Sequence, residues 1–74
     1  MFYWRTRRRL GFVLRRKRLE LNISQEYVSL EISIDRMGLS QLENGKTNPT
    51  LFLLLKVSHI LDTKLWKILK EINV

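Results

Sequence analysis

The stretch Ser24-Gln25-Glu26-Tyr27-Val28-Ser29-Leu30-Glu31-Ile32-Ser33-Ile34-Asp35-Arg36-Met37-Gly38-Leu39-Ser40-Gln41-Leu42-Glu43-Asn44-Gly45 decides how this chain folds. Ser24 is a favourable N-cap, because its hydroxyl can accept from a free N–H of the first helical turn. Glu26, in that turn, is favoured by the helix dipole. Val28 and Ile32 lie one turn apart and form an apolar stripe. Ser33-Ile34 is a short break, and Asp35 is a good cap for the next helix. Leu39 and Leu42 give that helix its inward face, and Gly45 ends it with the left-handed conformation that commonly closes a helix. Two short helices across a three-to-four-residue break are the predicted result, a helix-turn-helix arrangement over about residues 24–45.

The flanks extend the same pattern. Upstream, Leu10, Val13, Leu14 and Leu21 recur near helical spacing, with Arg15, Arg16 and Arg18 mostly on other faces, and Asn22 is a plausible stop. Downstream, Lys46-Thr47-Asn48-Pro49 is loop chemistry. Thr50 can cap a fourth helix from Leu51 to about Leu61, with Leu51, Leu54, Leu55, Val57 and Leu61 sufficient for packing and Phe52, Leu53 and Ile60 partly on other faces. Asp62-Thr63 is a tight connection to a fifth helix, Lys64 to about Ile72, whose stripe is Leu65, Ile68, Leu69 and Ile72 with Trp66 outside it. No β alternation and no internal repeat is visible. The expectation is one all-α, five-helix domain over residues 1–74, with residues 1–9 as a basic, aromatic N-terminal extension.

Composition narrows the function. With 74 residues there is room for one small domain. The absence of Cys excludes disulfides and thiolate zinc sites. No apolar run reaches the length of a membrane span, and no secretory signal is evident, so a cytoplasmic protein is expected. The net charge of +7 is lopsided. Residues 1–18 carry Arg5, Arg7, Arg8, Arg9, Arg15, Arg16, Lys17 and Arg18 and no acid; the remainder is nearly balanced. Such a block faces a polyanion, nucleic acid or an anionic membrane surface, or is simply solvated.

Catalytic chemistry finds no support. His59 is the only His and has no acid near it in sequence; the Ser residues lack a local base. Gly45-Lys46-Thr47 ends like a phosphate-binding loop, but the motif needs Gly where Ser40 stands. No metal set is visible. A non-enzyme without cofactor or small-molecule ligand is expected.

The third helix is the informative one. Its outward face carries Arg36, Met37, Ser40, Gln41 and Asn44, and Arg, Gln and Asn have the paired donors and acceptors that match base edges in the major groove. From periodicity alone, a solvated face and a base-reading face are both open. Here Ile23-Ser24-Gln25-Glu26-Tyr27-Val28-Ser29 and Ser40-Gln41-Leu42-Glu43-Asn44-Gly45-Lys46-Thr47-Asn48-Pro49 resemble the helix-two signature and the end of the recognition helix of Cro/C1-type (XRE) helix-turn-helix regulators. That family includes lambdoid phage repressors and the controller proteins of restriction–modification systems. The resemblance covers about residues 10–70. It implies a compact lambda-repressor-like domain that binds a pseudo-palindromic operator in double-stranded DNA as a homodimer.

Residue by residue, the resemblance implies base reading by Arg36, Met37 and Gln41. Gln25 would hold a phosphate and brace the recognition helix, and Lys46, Thr47 and Asn48 would approach the DNA backbone. Ser40, Asn44 and the basic residues Arg7, Arg8, Arg9, Arg15 and Arg16 are expected to add backbone contacts. Arg18 and Glu43 match a structural ion pair between helices one and three. Three positions depart from the family: Ser29 where Ala is usual, Ser33 where the turn has Gly, and Gly38 where Tyr or Ser is common. Gly38 either permits close backbone approach to DNA or is a mild helix defect.

Helices four and five carry more apolar residues than one core requires, so Leu65, Trp66 and Leu69 are expected at a dimer interface. A toxin-binding antitoxin that also autoregulates is the rival. At the N-terminus, Phe2 or Trp4 is expected to pack under the domain while the arginines reach phosphates; the rival roles are base stacking and a seat at a membrane interface.

Overall fold

The computed structural model describes residues 3–73, which form α1 (Trp4–Glu20), α2 (Gln25–Glu31), α3 (Arg36–Glu43), α4 (Leu51–Ile60) and α5 (Leu65–Glu71). Three helices begin on a side-chain cap. Ser24 Oγ accepts from the Tyr27 N–H at 3.0 Å, Asp35 Oδ1 from the Gly38 N–H at 2.6 Å, and Thr50 Oγ1 from the Leu53 N–H at 3.1 Å. Each satisfies an N–H that the helix itself cannot.

All five helices stop in the same way. The residue after each C-cap is left-handed: Asn22 (φ 58°), Ser33 (57°), Gly45 (72°), Asp62 (56°) and Asn73 (63°). The next N–H then reaches back into the last turn, from Ile23 to the Arg18 carbonyl, Ile34 to Ser29, Lys46 to Gln41 and Thr63 to Ser58. This closes the helix and turns the chain. Only Gly45 takes that conformation without steric penalty. Asn and Asp tolerate it; Ser33 has no such preference.

The first helix begins at Trp4, two turns before the apolar pattern starts at Leu10. Arginine is a good helix former and no breaker stands between residues 4 and 10, so the basic segment joins the helix although it has no face to bury. Trp4 does not pack under the domain; it is 56% exposed. Phe2 lies outside the described residues.

The core contains Leu10, Val13 and Leu14 of α1, Val28 and Ile32, Leu39 and Leu42 of α3, Leu54, Val57 and Leu61, and Ile68 and Ile72. Helix α1 packs on α3 and α5, α2 on α3 and α4, and α4 on α5. Two expectations about packing are corrected. Leu21 is exposed, because it is the C-cap of α1, where the chain already turns away. Leu51 (66% exposed) and Leu55 also stay outside the core. The buried stripe of α4 is Leu54, Val57, Ser58 and Leu61, while Leu51 and Leu55 fall to one side of it. Leu53 and Ile60, not Leu51 and Leu55, complete the packing against the core.

Two glycines fix close approaches. A Cβ on Gly11 would stand 2.3 Å from the Glu43 carbonyl oxygen and 2.6 Å from that of Leu42, so α1 and α3 touch backbone to backbone there. At Gly38 a Cβ would meet the Asp35 carboxylate at 2.8 Å and Ile34 at 3.2 Å. Its open space therefore admits the cap of its own helix.

Candidate nucleic-acid interface

The surface of interest is built on α3. Leu39 and Leu42 bury one side of this eight-residue helix, and the opposite side must then carry Arg36, Met37, Ser40, Gln41 and Asn44. Arg36, Met37, Gln41 and Asn44 are exposed and Ser40 is half-buried. These five side chains line a single surface depression together with Gln25 from α2 and Lys46 from the following loop. Asn44 Nδ2 donates to the Ser40 carbonyl at 2.9 Å, which holds the end of the helix. In the loop, Thr47 is half-buried and Asn48 exposed.

Behind this face sits a buried charged cluster. Arg18 Nε donates to Glu43 Oε2 at 2.7 Å and its Nη2 to Oε1 at 3.1 Å, a two-pronged pair between α1 and α3. Arg18 Nη1 also donates to the Ile23 carbonyl at 2.9 Å. Gln25 Nε2 donates to Glu43 Oε1 at 3.0 Å, so one carboxylate ties α1, α2 and α3. Arginine's planar fork suits this arrangement. The pairing also neutralises an acid at the C-terminal end of α3, where the dipole disfavours it. Ser29, buried where the two motif helices meet, donates its hydroxyl proton to the Glu26 carbonyl at 3.0 Å.

The basic residues of α1 spread over two depressions that meet at Arg8. Arg7 and Arg8 lie beside Trp4, Asn44, Gly45 and Lys46, on the α3 side. Arg9 and Arg16 lie on the other side, with Phe12, Val13 and the end of α5, in a groove whose edge Arg8 also lines. There Arg16 pairs with Glu71, which also lies 3.4 Å from Lys17 Nζ. Arg15 is exposed two turns beyond Arg8, on the same helical face. No sequence pattern points to Glu71 as the partner of Arg16, because 55 residues separate them. Gly11 was also missed; helix propensity treats it as a defect, and only the α1–α3 crossing shows its use.

Elsewhere, Trp66 is 60% exposed on α5, with the Lys67 ammonium 5.7 Å from its ring centre, while Leu65 and Leu69 are half-buried against the core. His59 is exposed on α4. Among the described residues no group of three metal-ligating side chains is brought together, and no helix is long and apolar enough to cross a membrane.

A helix capped by Asp35, presenting polar side chains away from the core and braced by a preceding short helix, defines a helix-turn-helix protein. A helix-turn-helix family profile matches residues 14–65, well over half of the chain. The chain belongs to the helix-turn-helix family of the Cro/C1 (XRE) type, whose members are DNA-binding transcriptional regulators. Two crystal structures of the clp gene regulator ClgR from Corynebacterium glutamicum share its fold, each at 27% identity over 90% of this chain. Their TM-scores are 0.87 and 0.86, with 71% and 86% of the respective ClgR chains covered. A search of curated protein sequences finds no match.

Proposed function

We propose that this chain regulates transcription by binding a pseudo-palindromic DNA operator as a homodimer, in the manner of a controller protein or a Cro-like repressor, in the cytoplasm. The observation that carries this reading is the gathering of Arg36, Met37, Ser40, Gln41 and Asn44 with Gln25 and Lys46 on one surface. Arg36, Met37 and Gln41 occupy the part of α3 that enters the major groove. Arg36 is the first helical residue after the cap, and its fork can bond the N7 and O6 of one guanine. Gln25 spends one N–H on Glu43 and keeps the other for a phosphate. Lys46, Thr47, Asn48, Ser40 and Asn44 supply backbone contacts, which set register without reading sequence.

Selection of binding sites from random duplexes, run for the wild type and for Arg36→Ala, tests this. The variant should lose about 1–3 kcal/mol per half-site and relax one base pair in each half. An unchanged consensus in the variant would remove Arg36 from base reading.

A further inference from the structure

The groove between α1 and α5 is used neither by the packing of the domain nor by the α3 face. Phe12, Val13 and Ile72 form its apolar part, and it encloses about 390 Å³, within the range of about 300–1,000 Å³ that holds a bound group. Phe12 is 67% exposed, on a helix whose inner face is already supplied by Leu10, Val13 and Leu14. Arg8, Arg9 and Arg16 edge the same groove, with Glu71 as the acid among them.

We infer that this groove is a docking site for an acidic segment of a partner protein, one that alternates carboxylates with leucine-like or phenylalanine-like side chains. The inference goes beyond DNA binding and does not depend on the α3 reading. An exposed phenyl ring over a buried apolar floor asks to be covered. Guanidiniums around it ask for carboxylates, which their fork matches in shape and charge. A segment that supplies both satisfies the groove; an apolar or an acidic segment alone satisfies half of it.

The charge balance of the groove is open. Among the described residues, Arg8 and Arg9 form no ion pair. Arg16 donates to Glu71 through Nη2, and its Nε is buried without a hydrogen-bond partner. The Arg18–Glu43 pair, by contrast, uses both prongs of the guanidinium. Glu71 also lies 3.4 Å from Lys17 Nζ, so one carboxylate serves two cations. It shows that a carboxylate fits at this edge and leaves Arg8 and Arg9 for carboxylates from outside.

Position and shape favour a protein segment over other polyanions. Residues two apart on a helix point about 200° apart, so Arg9 leaves α1 on the side opposite Gly11, the residue that touches the end of α3. A duplex seated on α3 meets that other side of α1. A sugar-phosphate strand also has no apolar side chain for Phe12, and Glu71 repels a uniformly charged one. A membrane surface is too broad, because Val13 and Ile72 are buried at the floor between two helices and only a narrow chain enters there.

The probe is a short fluorescein-labelled peptide alternating glutamate with leucine, titrated with the full chain and followed by fluorescence anisotropy. Peptides with glutamine for glutamate, or with serine for leucine, should bind about tenfold more weakly, each lacking one half of the match. Amide NMR signals of Phe12, Val13 and Ile72 should shift as the first peptide is added. Phe12→Ser should weaken that peptide about tenfold and leave affinity for the selected operator duplex unchanged. Glu71→Gln, which frees Arg16 and Lys17, should tighten it about threefold, whereas Glu31→Gln, the same charge change on α2, should not. No binding up to about 1 mM, equal binding of the serine peptide, equal tightening by both glutamine variants, or shifts on α3 instead would overturn the docking site. So would a Phe12→Ser loss seen only on phosphatidylserine vesicles, or only as a loss of self-association in sedimentation. The three peptides are compared on the unaltered chain, so that result stands even if a variant fails to fold.

Discussion

Glu43 shows how much one side chain can hold in a domain of this size. Its carboxylate accepts from Arg18 twice and from Gln25 once, and both charged partners are more than nine-tenths buried. Glu43→Ala would leave the Arg18 guanidinium buried without its anion, at a cost of about 3–5 kcal/mol. A small domain has only about 5–15 kcal/mol in total. Urea denaturation should therefore show a variant close to the edge of folding; a loss below about 1 kcal/mol would mean that Arg18 finds water instead. The pair was legible in the sequence only through the family resemblance. No local pattern brings residues 25 apart together; the bond from Gln25 to the same carboxylate is the bracing of the recognition helix that the resemblance implies for that glutamine.

At the scale of helices, the starts were easier to see than the stops. Ser24, Asp35 and Thr50 announce their caps because capping is a local act between neighbours. The start of α1 was missed for the complementary reason: apolar periodicity marks only the part of a helix that is buried. The packing of α4 was misjudged because five leucine-rich positions satisfy several stripes equally well. Which stripe faces inward depends on where α2 and α5 lie.

Two glycine substitutions separate local from tertiary effects. Ser33→Gly removes a left-handed serine from the turn and should stabilise by about 1 kcal/mol. The melting temperature should rise about 4–8 °C; no rise would mean that the unfolded chain gains as much freedom as the turn loses strain. Gly11→Ala improves helix propensity by about 1 kcal/mol, yet its methyl would collide with backbone of α3 that cannot rotate away. A net loss of about 1–3 kcal/mol is expected, read from the same melts. A more stable Gly11→Ala protein would show that α1 and α3 can separate without cost.

For the whole molecule, the open question is how the exposed apolar surface is covered. Trp66, Leu51 and Phe52 stand in solvent on the last two helices, more than a monomer's core explains. The proposed two-fold interface around Leu65, Trp66 and Leu69 offers each subunit the same patch. Trp66→Glu should then yield monomers in sedimentation velocity, with binding to an isolated half-site retained and binding to the full operator weakened. An unchanged sedimentation coefficient would move the interface elsewhere, with the apolar side of α4 the next place to substitute.

Because one buried carboxylate ties α1, α2 and α3 together, the proposed reading surface is complete before any DNA arrives. Association then resembles the docking of a rigid key and carries little of the ordering entropy that a folding-on-contact regulator must meet. With a net charge of +7, encounter with DNA should be driven by long-range attraction, and its rate should climb steeply as ionic strength falls. Free and operator-bound structures of residues 10–45 should superpose within about 1 Å on their Cα atoms. A larger shift of α3 against α1 would mean that the lock opens on binding.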